Sequence, residues 1–388
     1  MSTLNDVVIT KLSGGLGRRT PEQDMVSGLL FDEGSGILSS LEFDKVQRLV
    51  SLEDAEALGI TADFDNHQQS VYYQIQQFFR MNPSGDLYIM RTQAASYEDV
   101  VGKAMDMQEK ANGNIRQMAI ICSKATTFAQ TQAAVAKAQT QAALAYTDYM
   151  PFEVILEGKG FDADTAPSLA ELNAENVSVV VAMDLEKAVD YPNTAAVGLA
   201  LGAVSKAKVS ENIAWIEKFN LTGEGFAKAG FIGGQEIKTL GTLSELNDKR
   251  YIFTKTHTGL AGLYFNDSPT CTAGTSDFAY VENNRTINKA TRLLRTALLP
   301  KLASPVLVDI DGKLPQSVSK SFEGLCRSAL EAMVANQEVS AFDVYVDPKQ
   351  NILATSELKV KAEITPIGTA RKILVDLGFQ NPFGIDKA

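Results

Sequence analysis

Two histidines and three cysteines are the side chains best suited to metal binding or nucleophilic catalysis, and in this 388-residue chain they stand apart. His67 lies between Asn66 and Gln68, and His257 between two threonines. Cys122, Cys271 and Cys326 show no C-x-x-C spacing, so neither a transition-metal cluster nor a disulfide framework is implied. Isolated thiols of this kind fit a reducing compartment. No G-x-S-x-G elbow is present to activate a serine. Gly14-Gly15-Leu16-Gly17-Arg18-Arg19 has the glycine density of a phosphate loop, but no Gly-Lys-Ser/Thr follows it. Gly223-Glu224-Gly225 and Gly230 to Gly234 miss the G-x-G-x-x-G spacing. Asp309-Ile310-Asp311-Gly312 opens like a calcium loop and lacks the ligands at positions five and twelve. The expectation is therefore no cofactor, no metal and no catalytic site, with an enzyme built on carboxylates alone as the remaining catalytic option.

Charge is the feature that rises above background. The whole chain carries −11, which disfavours a nucleic-acid partner. Residues 282–388 nevertheless hold 14 basic and 12 acidic side chains, against 22 and 35 in residues 1–281. Much of the difference comes from one predicted helix, Asn283 to Leu299. Arg285, Lys289, Arg292 and Arg295 fall there within an arc of roughly 120°, opposite Ile287, Leu293, Leu294, Ala297 and Leu298. Such a face is either solvated or presented to an acidic partner.

The elements that must position these residues follow from pattern. Leu87 to Met90, Met118 to Cys122, Phe152 to Leu156 and Val177 to Met183 read as strands, alternating with helices over Tyr72 to Phe79, Tyr97 to Lys110 and Thr126 to Tyr146. Alternation of this kind predicts βαβ units and a mostly parallel sheet. Tyr251 to Phe253 and Leu263 to Phe265 suggest further strands. Beyond Pro269 the texture changes to helices over Asn283 to Leu299 and Val318 to Val334, a strand over Ala341 to Val346, and two terminal β runs. Leu358, Val360, Ala362 and Ile364 alternate with charged residues, and Ile373, Val375, Leu377 and Phe379 repeat that period of two. The bland account of the last run is a hairpin within the domain's own sheet. At the other end Val7, Val8 and Ile9 form a short β-prone run with little to pack against, an arm. The longest apolar stretch, Ala195 to Val204, is about half of what a bilayer requires, and no secretory signal is visible, so a soluble cytoplasmic product is expected.

Several blocks in order carry a family resemblance. They are Thr275-Ser276-Asp277-Phe278, then Asn284-Arg285 with Lys289-Ala290 and Arg292, then Val344-Tyr345-Val346-Asp347-Pro348, the Lys359 to Pro366 strand and Phe379-Gln380-Asn381-Pro382. Together they resemble the C-terminal domain of contractile tail sheath proteins of phages and phage-tail-like injection systems. Ala195-Ala196-Val197-Gly198-Leu199, running on to Trp215, resembles an alanine-glycine segment of the same family. Asn284-Arg285 departs from the more familiar arginine pair.

The resemblance implies a non-enzymatic structural polymer, assembled in the bacterial cytoplasm, that stacks helically around an inner tail tube and contracts. Its partners would be further copies of itself, the tube protein, and baseplate and terminator or cap proteins, with no nucleic acid and no membrane insertion. The expected organisation is a linking arm over residues 1–24, an α/β domain over 25–269, a C-terminal α+β domain facing the tube over 270–365 and a second arm over 366–388. Arg285, Lys289, Arg292 and Arg295 would face the tube. The runs at Val7–Ile9 and Ile373–Phe379 would add strands to neighbours, and Gly14, Gly15, Gly17, Pro366 and Gly368 would be hinges. Alternatives from other classes are a cytoplasmic α/β enzyme of small-molecule metabolism and a capsid or baseplate component.

Overall fold

The strand Val26–Asp32 (β1) is buried along its whole length and lies in the middle of a six-stranded sheet. The structure, a computed structural model, describes residues 24–32 and 40–379. The other strands of the sheet are β2 (Val46–Leu49), β3 (Asp86–Thr92), β4 (Gln117–Ile121), β5 (Glu153–Glu157) and β6 (Val177–Val180). Their order is β2-β3-β1-β4-β5-β6, with β2 antiparallel at one edge and every other neighbour parallel. Near-continuous apolar strands are what a parallel sheet covered on both faces requires.

The covering helices are α1 (Leu52–Ala57), α2 (Val71–Met81), α3 (Tyr97–Val101), α4 (Ala104–Lys110), α5 (Phe128–Thr147) and α6 (Val197–Lys206). A capping box of Thr127 and Gln130 starts α5, at the point where the sequence places it. Tyr97 to Lys110, expected as one helix, is two, because the chain turns at Gly102 and Lys103 to bury both Val101 and Ala104. Val177 to Met183 likewise divides: β6 stays in the main sheet, while β7 (Ala182–Asp184) pairs with β8 (Ala229–Phe231). Helices α2 and α6 pack backbone to backbone. A Cβ on Gly198 would lie 2.1 Å from the Gln74 carbonyl oxygen, and one on Gly202 2.8 Å from that of Phe78. Gln74 secures the contact, donating to Ala195 O and accepting from Gly198 N at 2.8 and 2.6 Å.

Further along come α7 (Leu240–Asp248), the antiparallel pair β9 (Thr254–His257) and β10 (Leu260–Phe265), α8 (Val281–Leu298), α9 (Gln316–Ala335), β11 (Val339–Tyr345), α10 (Ile352–Thr355) and β12 (Lys361–Pro366). Tyr251 to Phe253 contributes only a bridge from Ile252 to Val180. The β11–β12 ribbon is antiparallel. It packs with α8 and α9 around a second, smaller core of Ala290, Cys326, Leu330, Met333, Val339 and Val344. Cys271 and Val281 still belong to the main core, so α8 is shared by both.

Candidate assembly surfaces

Helix α8 begins where Tyr280 leaves an extended conformation, and Pro300 follows its last turn. No glycine or proline interrupts it. Its first half is polar yet buried, including Glu282, Asn284, Arg285, Asn288 and Lys289. Groups of that kind are tolerated inside a protein only when paired, and each is. Asn288 Nδ2 donates to Glu153 Oε1 at 2.9 Å, at the start of β5. Asn284 Nδ2 reaches the carbonyls of Glu175 and Phe278. Burial pushes the Glu153 carboxyl up to about 7, against the opposing effect of its bonds from Asn176 and Asn288.

Three of the four cations, Arg285, Lys289 and Arg292, are engaged inside the subunit, whereas Arg295 is half-buried and stacks on an exposed tyrosine. Lys289 Nζ lies 2.5 Å from Asp24 Oδ2 and 2.7 Å from Glu338 Oε1. Arg292 Nη2 lies 3.2 Å from Asp24 Oδ1. Arg285 donates to the backbone carbonyls of Ala207, Lys208 and Asp24 at 3.2, 3.3 and 3.2 Å. The Arg295 guanidinium stacks 3.5 Å from the Tyr149 ring centroid. Burial lowers the Arg285 pKa, whereas at Lys289 the attraction of Asp24 and Glu338 outweighs burial and raises it. Sequence spacing puts the cations on one face correctly. It does not reveal that Asp24 and Glu338, remote in the chain, meet that face.

A second charged seat lies on the first turn of the same helix. Arg371 Nε donates to Asp267 Oδ2 at 2.8 Å, its Nη2 bonds Glu282 Oε1, and its guanidinium lies 3.4 Å from the Tyr280 ring centroid. Asn212 Nδ2 also bonds Asp267 and Glu282, and Ser268 Oγ takes the remaining Glu282 oxygen. Arg371 closes one end of a cleft of about 940 Å³ whose walls include Trp215, Ile216, Leu243 and Phe253. None of these acceptors stood out in the sequence, since each is a single residue in an unpatterned segment.

Over the described residues 372–379 there is no regular structure, and Ile373, Val375, Leu377 and Phe379 are 79%, 78%, 94% and 111% exposed. The hairpin within the domain's own sheet is therefore not formed by this run; the ribbon partner of β11 is β12. Pro366 ends β12, and Gly368 has open space around its Cβ position. Val7, Val8, Ile9, Gly14, Gly15 and Gly17 lie outside the described residues.

The crevice at the carboxyl ends of parallel strands is where small ligands bind in open α/β sheets. Here Asp32 and Lys159 are held by neighbouring groups, while Gln69 Oε1 and Glu157 Oε2 are buried without a hydrogen bond. Asp32 Oδ1 accepts from Gln69 Nε2 at 2.6 Å and Ser123 N at 2.8 Å, and its Oδ2 from Ser123 Oγ at 2.5 Å. Lys159 Nζ, fully buried, lies 3.2 Å from Glu157 Oε2. Among the described residues no group of His, Cys, Asp and Glu side chains could hold a metal ion, and no helix is long and apolar enough to cross a membrane.

Comparison with solved structures gives matches over nearly the whole chain. The anti-feeding prophage helical sheath in its contracted state is 15% identical with a TM-score of 0.66, over 96% of this chain and 100% of that one. The sheath complex of the extracellular contractile injection system PVC, also contracted, is 12% identical with a TM-score of 0.66, over 98% of both chains. The sheath tail protein from Desulfitobacterium hafniense is 11% identical with a TM-score of 0.57, over 93% of this chain and 100% of that one. At these identities the likeness is one of fold. No curated protein sequence matches the chain. Two family models do, DUF2586 N-terminal domain over residues 4–269 and DUF2586 C-terminal domain over residues 277–384. The chain therefore belongs to the DUF2586 family and has the fold that contractile sheath proteins share.

Proposed function

We propose that the protein is the sheath subunit of a contractile tail or injection particle, polymerising helically around an inner tube and contracting to drive that tube through a target envelope. One observation carries the reading: the fold of sheath subunits is matched over nearly the full chain. Asp32 and Lys159 at the sheet's carboxyl ends are engaged within the subunit, by Gln69 and Ser123 and by Glu157, which suits a structural role. Its partners on this reading are other copies of itself, the tube protein, and baseplate and terminator proteins, met in the bacterial cytoplasm during assembly.

Two terminal segments link the subunits, one ahead of Asp24 and one beyond Arg371. The apolar side chains Ile373, Val375, Leu377 and Phe379 are unpartnered in the subunit, and a segment that alternates in this way is suited to add a strand to another chain's sheet. The β11–β12 ribbon, with only two strands, leaves one edge of each open to such pairing. Between them lie the main α/β body and the C-terminal lobe. Head-to-tail contacts whose rotation does not close build a helix rather than a ring.

Electron microscopy of the purified protein tests the reading. Hollow helical tubes are expected, and deletion of residues 372–388 should leave a folded subunit that no longer forms them. Discrete globular oligomers from the full chain would refute it.

A further inference from the structure

Both terminal segments meet the body of the protein on one helix, through charges of opposite sign. At the amino-terminal root the anion Asp24 is seated on Lys289 and Arg292, with Arg285 on its carbonyl. At the carboxy-terminal root the cation Arg371 is seated on Glu282 of the same helix and on Asp267. Glu282 lies about one helical turn before Arg285. We infer that α8 is a common clamp that pins the roots of both terminal segments and fixes where each leaves the body.

Each seat is built rather than incidental. Glu282 is 3% exposed and Lys289 8%, and Asn212 and Ser268 hold the acids of the second seat from behind. Partly buried pairs keep their strength against salt better than surface ones. The opposite polarity of the two seats also makes them selective. An acidic root placed on Asp267 and Glu282, or a basic one on Lys289 and Arg292, would meet like charge, so neither segment can occupy the other's position.

This inference rests on the sheath reading for its purpose, since fixed exit points matter when the segments reach into neighbouring subunits. It also relocates the bending points. Pro366 is the last residue of β12 and Gly368 lies between that strand and the Arg371 seat, so the chain is free to swing only after Arg371.

Nitroxide labels on the full chain test the clamp, one at Thr369→Cys and another at Met25→Cys, with Leu377→Cys as the free-tail reference. Arg371→Gln and Glu282→Gln should each speed the motion of the label at 369 by about tenfold and leave the label at 25 unchanged. Asp24→Asn should do the reverse. If a variant fails to fold, the labels on the otherwise wild-type chain serve instead, and those at 25 and 369 should stay as restricted from low to molar salt as one placed on α9, while the label at 377 moves freely. A label at 369 that moves as freely in the wild type as the one at 377, or no response to Arg371→Gln, would overturn the clamp. Tube formation by the unlabelled wild type is scored separately by microscopy. Its absence would defeat the sheath reading and leave the label result to judge the clamp.

Discussion

The ammonium of Lys289 and the carboxylate of Asp24 meet 2.5 Å apart although 265 residues separate them in the chain. With Glu338 on its other side, Lys289 joins the entrance to β1, the middle of α8 and the approach to β11. Removing one member of a buried ion pair leaves the others charged and unpaired, which costs about 3–5 kcal/mol. Lys289→Met should lose stability of that order in urea denaturation. Adding Glu338→Gln to it should recover part of the loss, because the stranded carboxylate is then gone.

Glycine substitutions should separate contact from propensity. Gly198→Ala would drive a methyl group into the Gln74 carbonyl, and no flexible side chain can yield there. A loss of about 1–3 kcal/mol or more is expected. Gly324, in the exposed middle of α9, has nothing within 4 Å of its Cβ position. Gly324→Ala should therefore stabilise by about 0.5–1 kcal/mol. Paired denaturation curves of the two variants check both signs.

The Glu153 carboxyl should make stability depend on pH. Its folded pKa of about 7 exceeds the ordinary glutamate value of 4.5, so the folded state binds the proton more tightly. The group's contribution is full below pH about 4.5 and is lost as pH rises through about 7. At most this amounts to about 3 kcal/mol. Glu153→Gln keeps an acceptor for Asn176 and Asn288 and removes the titration. The stability difference between variant and wild type should thus shift in the variant's favour between pH 4.5 and 8, and a constant difference would count against the buried carboxyl.

Thiol chemistry offers a further check on packing. Cys122, Cys271 and Cys326 are all buried, and burial pushes the first two thiols up to about 12. Near pH 8 the thiolate fraction falls by about a thousandfold relative to a free cysteine. Iodoacetamide should modify none of the three in the native protein and all three in urea, as read by intact mass. Labelling of native Cys122 would mean that the carboxyl end of the sheet opens to solvent.

What the sequence reveals here depends on whether a signal is local. Helices α2, α8 and α9 are legible because their apolar periodicity is contained within each segment, and α5 because its alanine- and glutamine-rich run holds no proline. The central strand β1 is not. Its residues are buried on both faces, so it shows no alternation, and Gly28 and the final Asp32 dilute its apolar run. The cations of α8 are found on one face by spacing alone, but their fate is decided by single acids at positions 24 and 338. Arg371 has the same problem in reverse, one basic residue whose importance lies in Asp267 and Glu282. Alternation in Ile373 to Phe379 does not say whether a covering surface exists in its own subunit, and there these side chains are exposed.

The place of β1 in the sheet determines how the protein bears force. A load applied at Val26 along the axis of this strand meets its parallel pairing with β3 over all seven residues and with β4 on its other side. Loaded in that direction, its ladder is sheared, and the hydrogen bonds on both flanks must yield together. An edge strand peeled sideways would instead lose them one at a time. The segment that enters the middle of the sheet is thus attached at the mechanically strongest point a parallel sheet has, and stress reaching it spreads at once into strands on either side.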